Sequence, residues 1–319
     1  MATQKFVVTG EQYRVVDQRM REIKRQLDQK NGSPLDPYWV ANKLQEIVEP
    51  LTVVKKPWLG QILANEQAYH VAFFGREFDY TDFINTLKKY DESTVRFWRS
   101  LGLEPHFLPK ISLRQDDDYP GWKIKPEKWF YEKIADGKIF SNIAGKLTAV
   151  NGVGLQGIAV LIDTRLKPIF ENSKQVWADD GALGCIIEEL RKGDKIAKYE
   201  YGSQSSRFGV SADGWETEIK PAWAKRLQLE TNRVRLELFE EANVIPQIYL
   251  QMPRKADGQT DTSVWYEQYF EDRTEYCFGE SDLRLYGGHS LHGGLAYVSP
   301  SQAINQLDSS RAFRPLAVL

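Results

Sequence analysis

The side chains best suited to metal binding or proton transfer in this chain are its four histidines and two cysteines. His289 and His292 are separated by two residues, a spacing at which two imidazoles can share one metal ion. Cys277, Glu280 and Asp282 lie a few positions upstream and are further ligand types. The histidine pair falls between two glycine pairs, however, where a turn is expected and no helix would align the rings. We therefore predict no metal site.

Two other patterns resemble known ligand-binding motifs. Residues 152–157 match the letters of the GxGxxG dinucleotide fingerprint, which requires a helix after its last glycine to bind the pyrophosphate. Residues 158–163 instead predict a strand, so the glycines predict a β-turn. Asp116, Asp117 and Asp118 are consecutive, whereas calcium loops place ligands at alternate positions. They predict a solvated turn, and we expect no cofactor.

No arrangement typical of a nucleophilic enzyme is present, since the chain has neither a G-x-S-x-G motif nor a P-loop. Glu267, Glu271 and Asp272 could supply carboxylates for acid–base chemistry, but acids at the end of a strand usually form a charged rim. We predict no catalytic residue and favour a binding protein. For the alternative, an enzyme, Cys277 with His292 is the pair that would be tested.

Composition narrows the class further. The chain has 319 residues, a net charge of −2 and 12% aromatic residues, which predicts a well-packed globular protein and no nucleic-acid partner. Two cysteines are too few for a disulfide-rich scaffold or a four-cysteine zinc site. No apolar run has the length of a signal peptide or a membrane span. The cytoplasm is the default location, with surface display as an alternative.

Hydrophobic spacing divides the chain into three regions and predicts an α+β protein. Residues 1–50 predict a helical hairpin, residues 51–145 a mixed α/β region of unassigned role, and residues 146–319 a binding domain. In the mixed region, the apolar run 69–74 predicts a strand with His70 in the interior. In the last region, helices are predicted at 181–192 and from Ser211 onward, the second interrupted by Pro221. Strands are predicted at 234–239, 245–252 and 264–270.

The closing stretch, 283–319, alternates two kinds of sequence. The segments LRLY, GGLAYV and AFRPLAVL predict short strands. Between them, residues 289–292 and 299–310 mix small, polar and apolar side chains with no helical or strand period. A polar run held between strands is well placed to be a displayed surface.

This stretch resembles the variable proteins of diversity-generating retroelements, whose C-type-lectin fold is related to the formylglycine-generating enzymes. The resemblance rests on residues 293–298, GGLAYV, and on residues 312–316, AFRPL, and it covers about a tenth of the chain. It implies a C-type-lectin-like domain at 146–319 that displays a diversified surface to a ligand, which we expect to be another protein. The alternatives are an enzyme on the related fold and a recognition component of a phage or other particle.

The resemblance also implies which positions vary. In the family, adenines of asparagine-type codons are rewritten while the third base stays fixed, so Gln, Glu, Lys, Met and Trp cannot arise. Gln302 and Gln306 should therefore belong to the scaffold. The predicted ligand-binding positions are His289, Ser290, Leu291, His292, Ser299, Ser301, Ala303, Asn305, Leu307, Asp308, Ser309 and Ser310.

Scaffold and surface should differ in burial, because random changes in a close-packed core commonly cost a few kcal/mol each. We expect the scaffold strands to bury five residues: Leu285, Leu295, Tyr297, Phe313 and Leu316.

The substitution Ser309→Tyr tests the surface assignment. It should leave the melting temperature nearly unchanged, because an exposed side chain has no packed neighbours to displace. Calorimetry of the two proteins measures this, and a large drop would contradict the assignment.

Overall fold

A computed structural model describes Arg21 and residues 58–143, 146–164, 170–171, 174–175, 182–250, 263–271, 283–289, 292–301 and 311–319. The chain divides into two compact units, Met1–Gln61 and Ile62–Leu319. Arg21 is helical, and the rest of the predicted N-terminal hairpin lies outside the described residues. The second unit includes most of the predicted mixed region and all of 146–319.

The described helices are α1 (Trp58–Phe74), α2 (Thr81–Leu87), α3 (Glu92–Ser100), α4 (Lys128–Ala135), α5 (Leu183–Lys192), α6 (Lys220–Leu227) and α7 (Phe239–Ile248). The described strands are β1 (Leu103–Leu108), β2 (Ile111–Ser112), β3 (Ile139–Ile143), β4 (Lys146–Ala149), β5 (Gly154–Leu155), β6 (Ile158–Asp163), β7 (Phe170–Glu171), β8 (Lys174–Gln175), β9 (Val234–Leu236), β10 (Ser263–Phe270), β11 (Leu283–Gly287), β12 (Val298–Ser301), β13 (Arg311–Phe313) and β14 (Pro315–Val318). The α+β class is confirmed. Among the described residues, no helix has both the length and the apolar character needed to cross a membrane.

Two main sheets form the second unit. An antiparallel four-stranded sheet has the order β1-β6-β14-β9. A six-stranded sheet has the order β12-β11-β10-β3-β4, with β13 added in parallel to β10. Because β11 covers one edge of β10, β13 and β3 share the other edge, at residues 263–265 and 268–270 respectively. The chain therefore passes from one sheet to the other at Arg314, between β13 and β14.

Several predicted elements are confirmed. Helix α5 spans Leu183–Lys192, and β10 spans Ser263–Phe270. The hydroxyl of Ser211 accepts the N–H of Gly214 and begins a short helical turn, and a π-helical segment, Trp215–Ile219, then separates that turn from α6. Pro221 lies in the first turn of α6, where its missing N–H costs least. Strand β6 follows Gly157, which rules out the helix that a dinucleotide fingerprint needs.

The strand predicted at 69–74 is wrong, because these residues end helix α1. The buried face of this helix includes Ile62, Glu66, His70 and Phe73, at helical spacing. Two of those four residues are polar, so in the sequence only the last turns of the helix show a run of apolar residues. A short apolar run does not distinguish a strand from a buried helix.

The strand predicted at 245–252 is also wrong in its described part, since Ile245–Ile248 belong to helix α7. Every residue of α7 is buried, so the helix has no solvent face and no amphipathic period. Pro246 lies inside it, although proline is unfavourable in a helix interior. The buried polar side chains of α7 are satisfied by specific partners; for example, Asn243 accepts the indole N–H of Trp122 at 2.9 Å.

A buried polar cluster joins α1 to β1 and to the end of α7. Glu66 Oε1 lies 2.7 Å from His106 Nδ1, and its Oε2 accepts the hydroxyl of Tyr249 at 3.0 Å and the N–H of Phe107 at 2.8 Å. His70 shares a 2.9 Å hydrogen bond with the hydroxyl of Tyr80. His70 is therefore an interior residue, as predicted, although in a helix.

The two buried histidines of this cluster have opposite pKa shifts. Burial lowers the pKa of His70 to about 4, although the carboxylate of Glu66 opposes the shift. Burial would also lower the pKa of His106, but Glu66 and Glu104 together outweigh it and raise the pKa to about 9. At neutral pH, His106 is thus the charged partner of Glu66, and His70 is neutral.

The charge on His106 makes stability depend on pH. Its folded-state pKa lies above the ordinary value of 6.5, so the stabilisation is complete below pH 6.5 and is lost as the pH rises through 9. Between pH 7 and 9 the free energy of unfolding should fall by about 2 kcal/mol. Urea denaturation of the wild type and of His106→Gln measures this, and the variant should lose the slope. His70→Gln is the control and should keep it; an unchanged slope in His106→Gln would contradict the assignment.

Phe313 tests the role of the last strands in the core. Its ring is 1% exposed and lies 5.0 Å from that of Trp215, so Phe313→Ala should lower the free energy of unfolding by about 3–5 kcal/mol. The exposed His292→Ala is the control, with an expected change within about 0.5 kcal/mol. Equal losses from both substitutions in urea denaturation would show that the two positions do not differ as expected.

Candidate binding surface

Strands β10, β11 and β12 present two different faces. Val264, Leu285 and Val298 are buried and belong to the main hydrophobic core. Because side chains alternate along a strand, the residues between them point to the opposite face. The register places Trp265 opposite Tyr286 and Tyr286 opposite Ser299. These three residues therefore form one row across the strands on the outer face.

Part of this outer face is covered by the segment that precedes α6. Trp215 packs on Phe313, and the carboxylate of Glu216 lies 3.3 Å from the guanidinium of Arg284, which is fully buried. This segment does not cover the face near β12, where Tyr286, Ser299 and Ser301 are half-buried. The accessible part of the face is thus its β11–β12 side.

Arg311 is the central side chain of this accessible part. It begins β13, and its guanidinium lies 4.8 Å from the ring centre of Trp265 on β10 and 3.7 Å from that of Tyr286 on β11. Its Nη1 donates to the hydroxyl of Ser301 on β12 at 2.6 Å. The side chain therefore crosses the sheet, and cation–π attraction to two rings holds it flat on the surface.

Two histidines lie at the end of β11. The backbone N–H groups of His292 and Gly294 both donate to the carbonyl of His289, at 3.1 and 2.9 Å, which closes a tight turn. Gly293 has a φ of +110°, a conformation that other residues rarely adopt. The imidazole rings stack with their centres 4.9 Å apart. Within the described residues, no group of three or more His, Cys, Asp or Glu could hold a metal ion.

Tyr297 joins the histidines to the aromatic row. Its ring centre lies 5.1 Å from that of His292 and 6.3 Å from that of Tyr286. Burial raises the pKa of Tyr297, a hydrogen bond with Ser299 lowers it, and the hydroxyl of Tyr286 raises it again. The net shift is upward, so the phenol keeps its proton at neutral pH and can donate a hydrogen bond.

These features define one surface, the Arg311 surface. It consists of Tyr286, His289, His292, Tyr297, Ser299, Ser301 and Arg311, and the ring of Trp265, which is 4% exposed, lies beneath the guanidinium of Arg311. Four of the predicted ligand-binding positions belong to it: His292 is exposed, and His289, Ser299 and Ser301 are half-buried. The other eight predicted positions lie outside the described residues: Ser290, Leu291, Ala303, Asn305, Leu307, Asp308, Ser309 and Ser310. Gln302 and Gln306 also lie outside them.

The predicted scaffold residues lie mainly in the core. Leu285, Leu295, Phe313 and Leu316 are at most 7% exposed, and Tyr297 is half-buried because one side of its ring belongs to the surface.

The charged rim predicted around Glu267 is wrong for that residue. Glu267 is 2% exposed; its carboxylate accepts the N–H of Leu236 at 2.8 Å and lies 3.4 Å from the guanidinium of Arg284. Burial raises the pKa of Glu267, and Arg284 opposes the shift. The carboxylate therefore ties β9 to β10. Asp272 and Cys277 lie outside the described residues.

The sequence did not single out Arg311 or Tyr286 as surface residues, or Trp265 as the buried ring beneath Arg311. Their one local signal was the alternation of aromatic and apolar residues in β10 and β11, because every second residue of a strand shares a face. The partners of Arg311 are distant in sequence, so its position could not be read from spacing. Together the surface provides aromatic area, hydroxyl groups and a cation, which suits adaptable binding.

Comparison of the chain with family models, curated proteins and solved structures gives no match.

Proposed function

We propose that this protein is a binding protein that presents a diversified C-terminal surface to a protein ligand, as the variable proteins of diversity-generating retroelements do. The proposal includes a C-type-lectin-like fold for residues 146–319. One observation carries it: the described positions expected to vary lie around the Arg311 surface, whereas Leu285, Leu295, Phe313 and Leu316 are buried. A surface that tolerates variation needs this separation, since core changes are costly.

The composition of the Arg311 surface favours a protein ligand. Tyrosine and arginine are among the residues that dominate the binding energy of protein interfaces, and serine and tyrosine are common residues of antibody binding sites. Tyr286 and Arg311 are outside the set expected to vary and would supply a constant base, which the buried ring of Trp265 supports from below. His289, His292, Ser299 and Ser301 would supply the changing contacts at its edge.

The DNA around the gene tests the proposed origin of the diversity. We expect a reverse-transcriptase gene and a near-copy of the codons for residues 289–310. The two copies should differ where the near-copy has adenine, with Gln302 and Gln306 unchanged. Sibling genes in which Gln302 varied while Ser301 and Asn305 stayed fixed would refute the assignment of scaffold and surface.

A pair of displayed libraries tests the binding role. One library randomises His289, His292, Ser299 and Ser301; the matched control randomises Leu285, Leu295, Phe313 and Leu316. Most members of the first should fold, as judged by protease resistance, and panning should yield binders to unrelated proteins. Most members of the second should lose resistance, because core substitutions cost a few kcal/mol each. Equal loss in both libraries would contradict the proposal.

A further inference from the structure

A cleft on another part of the molecule has the size and lining of a small-molecule site. It lies between α3, α5 and α6 and has a volume of about 710 Å³, within the range of typical ligand pockets. None of its lining residues belongs to the Arg311 surface. They are Phe97, Ala182, Cys185, Ile186, Glu189, Leu190, Ala222, Lys225, Arg226 and Gln228. An occupant of this cleft is therefore independent of the proposed function.

About half of the cleft lining is apolar. Phe97, Ile186, Leu190 and Ala222 are all half-buried, so each presents part of its apolar surface to the opening. Along α5 the lining runs from Ala182 to Leu190, which corresponds to about 12 Å of helix. An elongated apolar group of similar length would cover these side chains and remove them from water.

The rim of the cleft is basic. Lys225 and Arg226 are exposed, and neither forms an ion pair with any residue that the structure describes. Other lysines nearby do form such pairs, namely Lys192 with Glu188 at 2.7 Å and Lys220 with Glu216 at 2.8 Å. Glu189 also lines the cleft, so two cations face one carboxylate and the rim carries a net positive charge.

Two contacts join the helices that border the cleft. The indole N–H of Trp98, which follows Phe97 in α3, donates to the carbonyl of Leu227 at the end of α6 at 3.0 Å. The guanidinium of Arg226 lies 5.8 Å from the ring centre of Phe97, so it is directed across the opening between the two helices. These contacts position α3 against α6 and place Arg226 beside the apolar wall.

We propose that this helix cleft binds a small amphipathic organic anion, with its apolar chain against Phe97, Ile186 and Leu190 and its carboxylate beside Lys225 and Arg226. An inorganic anion would leave the apolar side chains of the cleft exposed to water, so an anion with an apolar chain should bind more tightly. The two cations select a charged molecule over its neutral analogue.

Cys185 provides a reporter for occupancy, since it is exposed and lines the cleft. The experiment uses the full chain with Cys277→Ser, so that Cys185 is the one thiol present. Decanoate, kept below its micelle concentration, is the probe, and alkylation of Cys185 by iodoacetamide is followed with time. At ten times the dissociation constant, decanoate should slow alkylation about tenfold by mass action. Decanamide, its neutral analogue, should protect much less.

Matched charge variants locate the carboxylate. Lys225→Gln with Arg226→Gln should weaken decanoate binding about tenfold, since each exposed charge contact contributes a few-fold. Lys110→Gln with Lys128→Gln removes two positive charges from exposed positions that do not line the cleft and should have little effect. Melting temperatures check that all variants fold, and Lys225→Gln alone serves if the double variant does not. No protection of Cys185, equal protection by decanamide, or equal weakening in the control pair would each overturn the proposal.

Discussion

A buried group of charges at the end of β6 holds the two sheets of the second unit together. The carboxylate of Asp163 accepts from Arg207 at 2.9 Å, and its backbone carbonyl accepts from Arg314 at 2.9 Å. All three residues are at most 2% exposed. A buried ion pair adds little net stability, but loss of one partner leaves an uncompensated charge and is strongly destabilising. Arg314 lies where the chain crosses between the sheets, so these contacts fix the crossing.

The crossing in turn fixes the Arg311 surface. With Arg314 held, β13 pairs in parallel with β10, and Arg311 begins that strand three residues before the crossing. Its guanidinium is then carried over Trp265 and Tyr286. The geometry of the surface thus derives from buried contacts on the other side of the backbone. Substitutions at the exposed edge need not disturb them.

Helices α1 and α7 also carry buried charged residues, and these have specific hydrogen-bond partners. Glu66 has His106, Tyr249 and the N–H of Phe107 as hydrogen-bond partners, and Glu240, raised by burial to a pKa of about 7, accepts from Gln268. Each of these groups would be costly if unpaired. Satisfied polar groups in the core specify which helix meets which strand, because their partners must meet at hydrogen-bond distance.

The sequence by itself determined the α+β class, the strand β10, the helix α5, the interruption before Pro221, and the strands within LRLY and AFRPLAVL. The strand predicted for GGLAYV is wrong, because Gly294–Ala296 form a 3₁₀ turn and β12 instead runs from Val298 into the polar residues Ser299–Ser301. The correctly predicted features have local causes: alternation, helical spacing, turn glycines and proline. The sequence did not determine the helical state of 69–74 or of 245–248, because a helix buried on all sides, or buried through polar residues such as Glu66, lacks an amphipathic period.

The tertiary structure alone decided that Glu267 is buried against Arg284 and that Arg311 spans three strands to reach Ser301. These contacts join residues whose separation in sequence carries no periodic signal. Their geometry depends on the pairing of β13 with β10, which only the folded chain brings about.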